Sequence, residues 1–277
     1  MNERSESPRR GRIDAAFGVQ LRAWRQTRRV SQEALAARAG VSARHLSFVE
    51  NGRSQPSREL VLALAGALDV PLRERNALLT AAGFAAVFRA SSLDAEVMAS
   101  LRRAIDHVLA QQEPFGAVVI DGGWNVIRLN RGAQRLFQRF PVTSPAGRDA
   151  VQNIVLGVVH PEALRPYIVN WAETAGPLVA RLHREVAAHP ASEELARLLA
   201  RVLAQPGVPS EWRAFAPGRT AAPFLSVHLR SPQLEVQLFT MMTSIGTPLD
   251  VTAEEIHIEA YFPADDASEA VLRGLAD

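Results

Sequence analysis

Residues 31–53, SQEALAARAGVSARHLSFVENGR, constrain the fold more than any other stretch of this 277-residue chain. Two short helical patterns, Gln32–Ala39 and Ala43–Asn51, are joined by only three residues, so the two helices must turn sharply and pack across each other. Ser31 and Ser42 stand where an N-cap hydroxyl is needed. Gly40 supplies a turn position that tolerates positive φ, and Asn51-Gly52 closes the second helix. Leu35 and Ala39 point inward, Ala36 is small enough to let the second helix cross closely, and Val41, Leu46 and Val49 recur at the spacing of a buried stripe. Further helical patterns at Phe17–Arg28, Ser57–Leu68 and Leu72–Ala82 complete a mainly α domain of five helices over 14–83, after a disordered arm at 1–13.

That packing turns Ala43, Arg44, Ser47 and Phe48 outward on the second helix. Arg44, near its N-terminal end, has the reach to pair with guanine O6 and N7 in the major groove, and Phe48 can meet a thymine methyl. Gln32, at one helix start, and Asn51 and Arg53, past the end of the other, are placed for phosphates that fix register. Ser42, at the cap, completes this DNA-facing set. Charge agrees with a polyanionic partner: residues 1–90 carry 15 Arg against 8 acids, whereas residues 91–277 carry 16 Arg against 21 acids, and the chain has no Lys. The expected partner is double-stranded operator DNA.

A linker and linker helix follow at 84–110, with Leu93, Val97, Leu101, Ile105 and Val108 along one face, a stripe suited to pairing with its copy in a dimer. Ala117–Asp121 and Trp124–Leu129 read as strands around Gly122-Gly123, and Arg131–Arg139 as a helix. Residues 151–203 read as helices broken at Pro161, Pro177 and Pro190. Period-2 alternation returns at Leu225–Arg230, Leu234–Leu238 and Ile256–Phe262, which predicts a five-stranded antiparallel sheet with one buried and one more polar face. The domain at 111–277 is therefore α+β.

Catalytic chemistry finds no support. The chain has 0 Cys, which removes thiolate nucleophiles, thiolate metal sites and disulfides. It shows no phosphate-cradling Gly loop, nucleophile elbow or paired buried acids. Seven histidines invite a metal reading, with His257, Glu259 and His228 as the best trio. But His257 and Glu259 fall opposite Ile256 and Ile258, on the face expected to be the more exposed, so no metal site and no cofactor are assigned. No apolar run reaches the ~20 residues of a membrane span, and the polar, basic start MNERSESPRRGR does not read as a secretory signal. A cytoplasmic protein with no membrane partner is expected.

The stretch 31–53, with LSFVENGR at 46–53, resembles the lambda-repressor-like or XRE-type helix-turn-helix of transcription regulators. VVIDGGWNVIRLNRGAQRLF at 118–137 resembles the opening of a PAS-like domain. With QNIVLGVVHPEALRPYIVNW (152–171) and LFTMMTSIGTPLDVTAEEIHIEAYFPAD (238–265), the second domain resembles the MmyB-like ligand-binding domain attached to XRE-type regulators. The resemblance implies a pocket for a small hydrophobic ligand, a fatty acid being the leading suggestion. Phe239, Met241 and Met242 are candidate pocket residues because they lie by a strand facing the helical middle, and Met suits flexible chains. Tyr167 and Trp171 are candidate walls, and Arg165 or Arg184 a candidate partner for a carboxylate head. The alternative is a DNA-binding regulator whose second domain is a ligand-free dimerisation and partner-binding module. A connected apolar cavity behind the 234–243 strand separates the two. Either way a homodimer is expected, since one helix-turn-helix buries little surface on DNA.

Overall fold

The computed structural model describes residues 7–190, 192–214 and 226–276, with backbone alone for residues 7–15. The chain forms two compact units, the first running to Ala90 and taking in Leu249–Val251, the second running from Ser91 through the rest. The first is built from α1 (Ser7–Thr27), α2 (Gln32–Arg38), α3 (Ala43–Glu50), α4 (Arg58–Ala67) and α5 (Leu72–Ala81). Four of the five agree with the expected spans to within two residues at each end. The exception is α1, which begins at Ser7 rather than Phe17; residues 1–6 of the expected arm lie outside the described residues.

Both serine caps of the helix pair form: Ser31 Oγ accepts from Ala34 N and Ser42 Oγ from His45 N, each at 3.1 Å. Gly40 takes φ +69°, the left-handed turn expected of it. Phe17, Leu21, Leu35, Leu46, Val49 and Leu64 are buried in one core. α1 crosses the end of α3 at Gly18, where a Cβ would lie 2.4 Å from the Glu50 carbonyl oxygen.

The second unit opens with a 3-10 turn at Glu96–Met98 and α6 (Ala99–Gln111), followed by β1 (Ala117–Ile120) and β2 (Val126–Leu129). A helical stretch follows: α7 (Arg131–Phe137), α8 (Pro145–Ala150), α9 (Ile154–Val159), α10 (Trp171–Ala188) and α11 (Glu193–Leu203). It closes with β3 (Ser226–Arg230), β4 (Glu235–Ser244), α12 (Val251–Glu255), β5 (His257–Pro263) and α13 (Asp266–Gly274). The strands make one antiparallel sheet in the order β2-β1-β5-β4-β3, so the first and last strands of the chain pair at its centre. Leu225, expected in the third strand, lies outside the described residues.

Three expectations need correction. The sheet has no freely exposed face over β1 and β5. Ala117, Val119, Ile256 and Ile258 pack under Ile105 and Leu109 of α6, while Val118, Ile120 and Tyr261 join the main core on the other side. All four residues of β1 are consequently buried. The same packing makes α6 part of this unit rather than a linker. Its buried residues are Ile105 and Leu109; Leu93, Leu101 and Ile105 of the expected stripe pack against the sheet, whereas Val97, in the 3-10 turn, is 72% exposed. Finally, Pro177 does not break the middle helix. It sits inside α10, where packing of Ala175, Leu178, Val179 and Leu182 into the core outweighs one lost backbone hydrogen bond.

Two buried asparagines fasten the sheet to the helices. Asn130 caps α7, its Oδ1 accepting from Ala133 N and Ala117 N at 2.8 Å each, while its amide donates to the Phe115 and Leu109 carbonyls. Asn153 caps α9 and donates to the Gly123 carbonyl at 2.8 Å. In the β1–β2 turn it is Trp124, not a glycine, that takes positive φ, at +64°. Its indole is buried, and Nε1 donates to Glu185 at 2.6 Å.

Candidate functional site

In the first unit the outer face of α3 presents Arg44, exposed and stacked over the Phe48 ring with its guanidinium carbon 5.4 Å from the centroid. Ala43, Ser47 and Phe48 are half-buried beside it, Ser42 is exposed at the cap, and Arg53 is exposed just past the helix. A helix thus carries the Arg44 guanidinium over an aromatic ring on its exposed face.

Gln32 and Asn51 have inward partners as well. Gln32 Nε2 donates to Glu50 at 2.7 Å, and Asn51 Oδ1 accepts from Arg22 at 2.6 Å while its amide donates to the Ser47 carbonyl at 2.8 Å. The hub is Glu50, whose side chain is fully buried at the end of α3. It also receives a two-pronged contact from Arg25 of α1, Nε at 2.6 Å and Nη2 at 2.9 Å. Burial alone would raise its pKa. The Arg25 and Gln32 hydrogen bonds and the Arg25 and Arg22 charges outweigh burial and hold the carboxyl below the ordinary value. Glu50 locks the recognition helix to α1 and α2. Sequence reasoning missed it; the only signal was an acid at a position in phase with Leu46 and Val49.

In the second unit a cavity of about 460 Å3 lies between the sheet and the helices α7 to α10, within the ~300–1,000 Å3 of small-molecule pockets. Its walls are apolar: Val118, Val126, Phe137, Ile154, Leu178 and Leu238 are among them. Four of the lining residues, Gln134, Gln138, Arg148 and Gln152, are polar and exposed. Other polar liners are buried or half-buried: Glu259 and Tyr261 of β5, Thr174 of α10, and Thr240 of β4. Cross-strand register puts Thr240 directly beside Tyr261 and Met242 beside Glu259.

Glu259 is only 6% exposed, which corrects the expectation that it faces solvent. Burial raises its pKa; the hydrogen bond from Thr240, the Arg181 charge and the Tyr261 hydroxyl, 3.5 Å away, only partly offset that. His257, half-buried on the same strand face, has its pKa lowered by burial and then by Arg181. His228 lies on the other face, bonded to Glu235 at 2.8 Å, so the trio considered for a metal does not converge. Among the described residues no cluster of three or more metal-ligating side chains occurs.

None of the seven residues selected from sequence for the pocket lines this cavity. Phe239 stacks on Phe262 and Met241 is 58% exposed, because odd-numbered residues of β4 point away from Thr240. Met242 faces the right side but meets Arg181, whose Nη2 lies 2.9 Å from its sulfur. Tyr167 donates to the Pro141 carbonyl and Trp171 to that of Val158. Arg165 stacks on Trp171 at 3.8 Å in a separate surface groove, and Arg184 is exposed. Sequence alone missed Thr240 and Tyr261 and weighed Glu259 only for a metal; the signal available was an acid in a strand otherwise written IHIEAYF.

Comparison with known proteins places these units. Residues 16–78 match a family model described as a helix-turn-helix domain. Residues 101–275 match the model of the MmyB-like transcription regulator ligand binding domain. Among solved structures, the restriction-modification controller protein C.AhdI from Aeromonas hydrophila is similar, with 37% identity over 22% of this chain and 94% of its own, at TM-score 0.22. The clp gene regulator ClgR from Corynebacterium glutamicum shows 34% identity over 26% of this chain and 88% of its own, at TM-score 0.23. No curated protein matches the chain. With a helix-turn-helix reader at one end and the matching ligand-binding-type domain over most of the rest, the chain belongs to the MmyB-like transcription regulators.

Proposed function

We propose that this DNA-binding regulator is a cytoplasmic, non-enzymatic sensor: a homodimer that grips double-stranded operator DNA and changes its grip when a small hydrophobic ligand enters the second unit. Two recognition helices about 34 Å apart would read a near-palindromic site. The observation that carries the sensing half is the apolar cavity behind β4, with a few polar groups among its liners. It favours a PAS-like ligand pocket over a ligand-free dimerisation module, which needs no such space. No helix among the described residues is long and apolar enough to cross a membrane, in keeping with this reading.

A fatty acid suits the cavity in one orientation. Its tail would lie along the apolar walls, and of the two charged liners only Arg148, not the acid Glu259, can pair with its carboxylate. Native mass spectrometry of the freshly purified protein tests the reading. A co-purifying mass of a few hundred daltons, released on denaturation and altering operator affinity when added back, is the expected result. An empty dimer whose operator affinity ignores every added amphiphile overturns it.

A further inference from the structure

Two buried oxygens in the cavity wall narrow the class of ligand, an inference that rests on the ligand-sensing reading above. Glu259 and Tyr261 stand two residues apart on β5, so both side chains leave the same face of the sheet, and Thr240 lies beside Tyr261 on β4. All three line the cavity, and Glu259 and Tyr261 are 6% and 9% exposed. Thr240 donates to the Glu259 carboxyl. The Tyr261 hydroxyl does not close on it: the two oxygens are 3.5 Å apart, against roughly 2.5–3.0 Å for an O–H···O hydrogen bond. Among the described residues that hydroxyl has no nearer partner. Its ring is held by the edge contact with Phe137, centroids 5.7 Å apart. The gap between these two oxygens is one that a third oxygen, about 2.8 Å from each, would bridge.

We propose that the pocket is built for a hydroxylated fatty acid, its carboxylate paired with Arg148 of α8 and its chain hydroxyl bridging Glu259 and Tyr261 of β5. A plain alkyl chain would cover that oxygen pair with methylenes, taking away water and giving no hydrogen bond in return. A hydroxyl both donates and accepts, so it can donate to a Glu259 oxygen and accept from Tyr261, which a ketone or an ether cannot do. Turned about its C–O bond, it can instead accept from a protonated Glu259 and donate to Tyr261, so the fit holds for either form of the acid. Arg148 belongs to the helical layer and the oxygen pair to the sheet, the two layers that enclose the cavity, and both line it.

The test is calorimetric titration of the full chain with hexadecanoate and with its monohydroxy isomers, the hydroxyl moved stepwise along the chain. One isomer, or a pair of neighbouring ones, should bind at least about tenfold tighter than hexadecanoate, because it alone meets the buried oxygens. Isomers with the hydroxyl several carbons away should bind more weakly than hexadecanoate, since that hydroxyl is then buried against apolar walls. Tyr261→Phe keeps the ring against Phe137 and removes the hydroxyl; it should erase the preference while hexadecanoate still binds. A series in which no isomer exceeds hexadecanoate overturns the hydroxyl assignment and leaves a fatty-acid pocket standing. Failure of hexadecanoate and every isomer to bind overturns the ligand-sensing reading beneath it. The comparison among ligands uses the unaltered chain, so a poorly folding Tyr261→Phe does not blunt it.

Discussion

Replacing Glu50 by alanine should strip the DNA-reading unit of its central fastening. The substitution deletes a fully buried carboxylate that accepts from Arg25 Nε at 2.6 Å, Arg25 Nη2 at 2.9 Å and Gln32 Nε2 at 2.7 Å. Arg25 is then left 13% exposed with one bond, to the Val30 carbonyl at 3.1 Å. Breaking a buried pair from one side costs about 3–5 kcal/mol. Residual access of water to Arg25 argues for the lower end, ~3 kcal/mol, a large part of the roughly 4–10 kcal/mol that holds a unit of this size together. At about 4–8 °C per kcal/mol, its melting transition should fall by roughly 12–24 °C. Differential scanning calorimetry of the full chain reads this directly. Replacing both partners, Arg25→Met with Glu50→Leu, should recover most of the loss, because the damage lies in the orphaned charge rather than in the absent pair. A Glu50→Ala transition within about 3 °C of the unaltered protein would refute the reasoning, as would a double variant no better than the single one.

Further outcomes concern pH, DNA and packing. The Glu50 carboxyl is held below its ordinary 4.5, so its stabilisation is complete above pH 4.5 and fades as pH drops through the folded value; Glu50→Gln should flatten that acid limb in a pH series of melts. Glu259 works oppositely: its raised pKa means the empty second unit loses stability as pH climbs from 4.5 toward the folded value, a slope Glu259→Gln should remove. Arg44→Ala should cost about 1–3 kcal/mol at one operator position, whereas Arg53→Ala should weaken all sequences alike and lower the salt slope by about 1; gel-shift titrations across operator variants and salt would distinguish the two roles. Asn130→Ala leaves the Ala117 and Ala133 amides without their acceptor and should cost roughly 2–4 kcal/mol in urea unfolding, while a loss below about 1 kcal/mol would count against its fastening role.

The first unit was legible because its signals are local. Ser31, Ser42 and Gly40 act within a few residues of themselves, and buried Leu35, Leu46 and Val49 follow from a single period. What escaped notice there, Glu50, depends on Arg25, which is 25 residues away in the chain. The second unit hid more. Alternation in Ile256–Phe262 suggested one buried side, but α6 covers the side of Ile258 while the helical layer covers that of Glu259 and Tyr261. Once both sides are buried, alternation no longer says which residues meet a cavity. Two expected pocket residues miss this cavity for a related reason: Phe239 and Met241 were chosen for chemistry, and a phase of one residue along β4 separates them from Thr240.

The Ile105 and Leu109 contacts on the far side of the sheet bear on how the cavity can breathe. A floor braced from behind by a helix is stiff, and antiparallel pairing along β1, β5 and β4 stiffens it further. The opposite wall is a set of shorter pieces, α7, α8 and α9 being only six or seven residues each. Any guest too bulky for the space must therefore push the ceiling rather than the floor. The mechanical output of occupancy then starts in the segment from Arg131 to Val159, and that is where strain gauges such as hydrogen-exchange probes should be set.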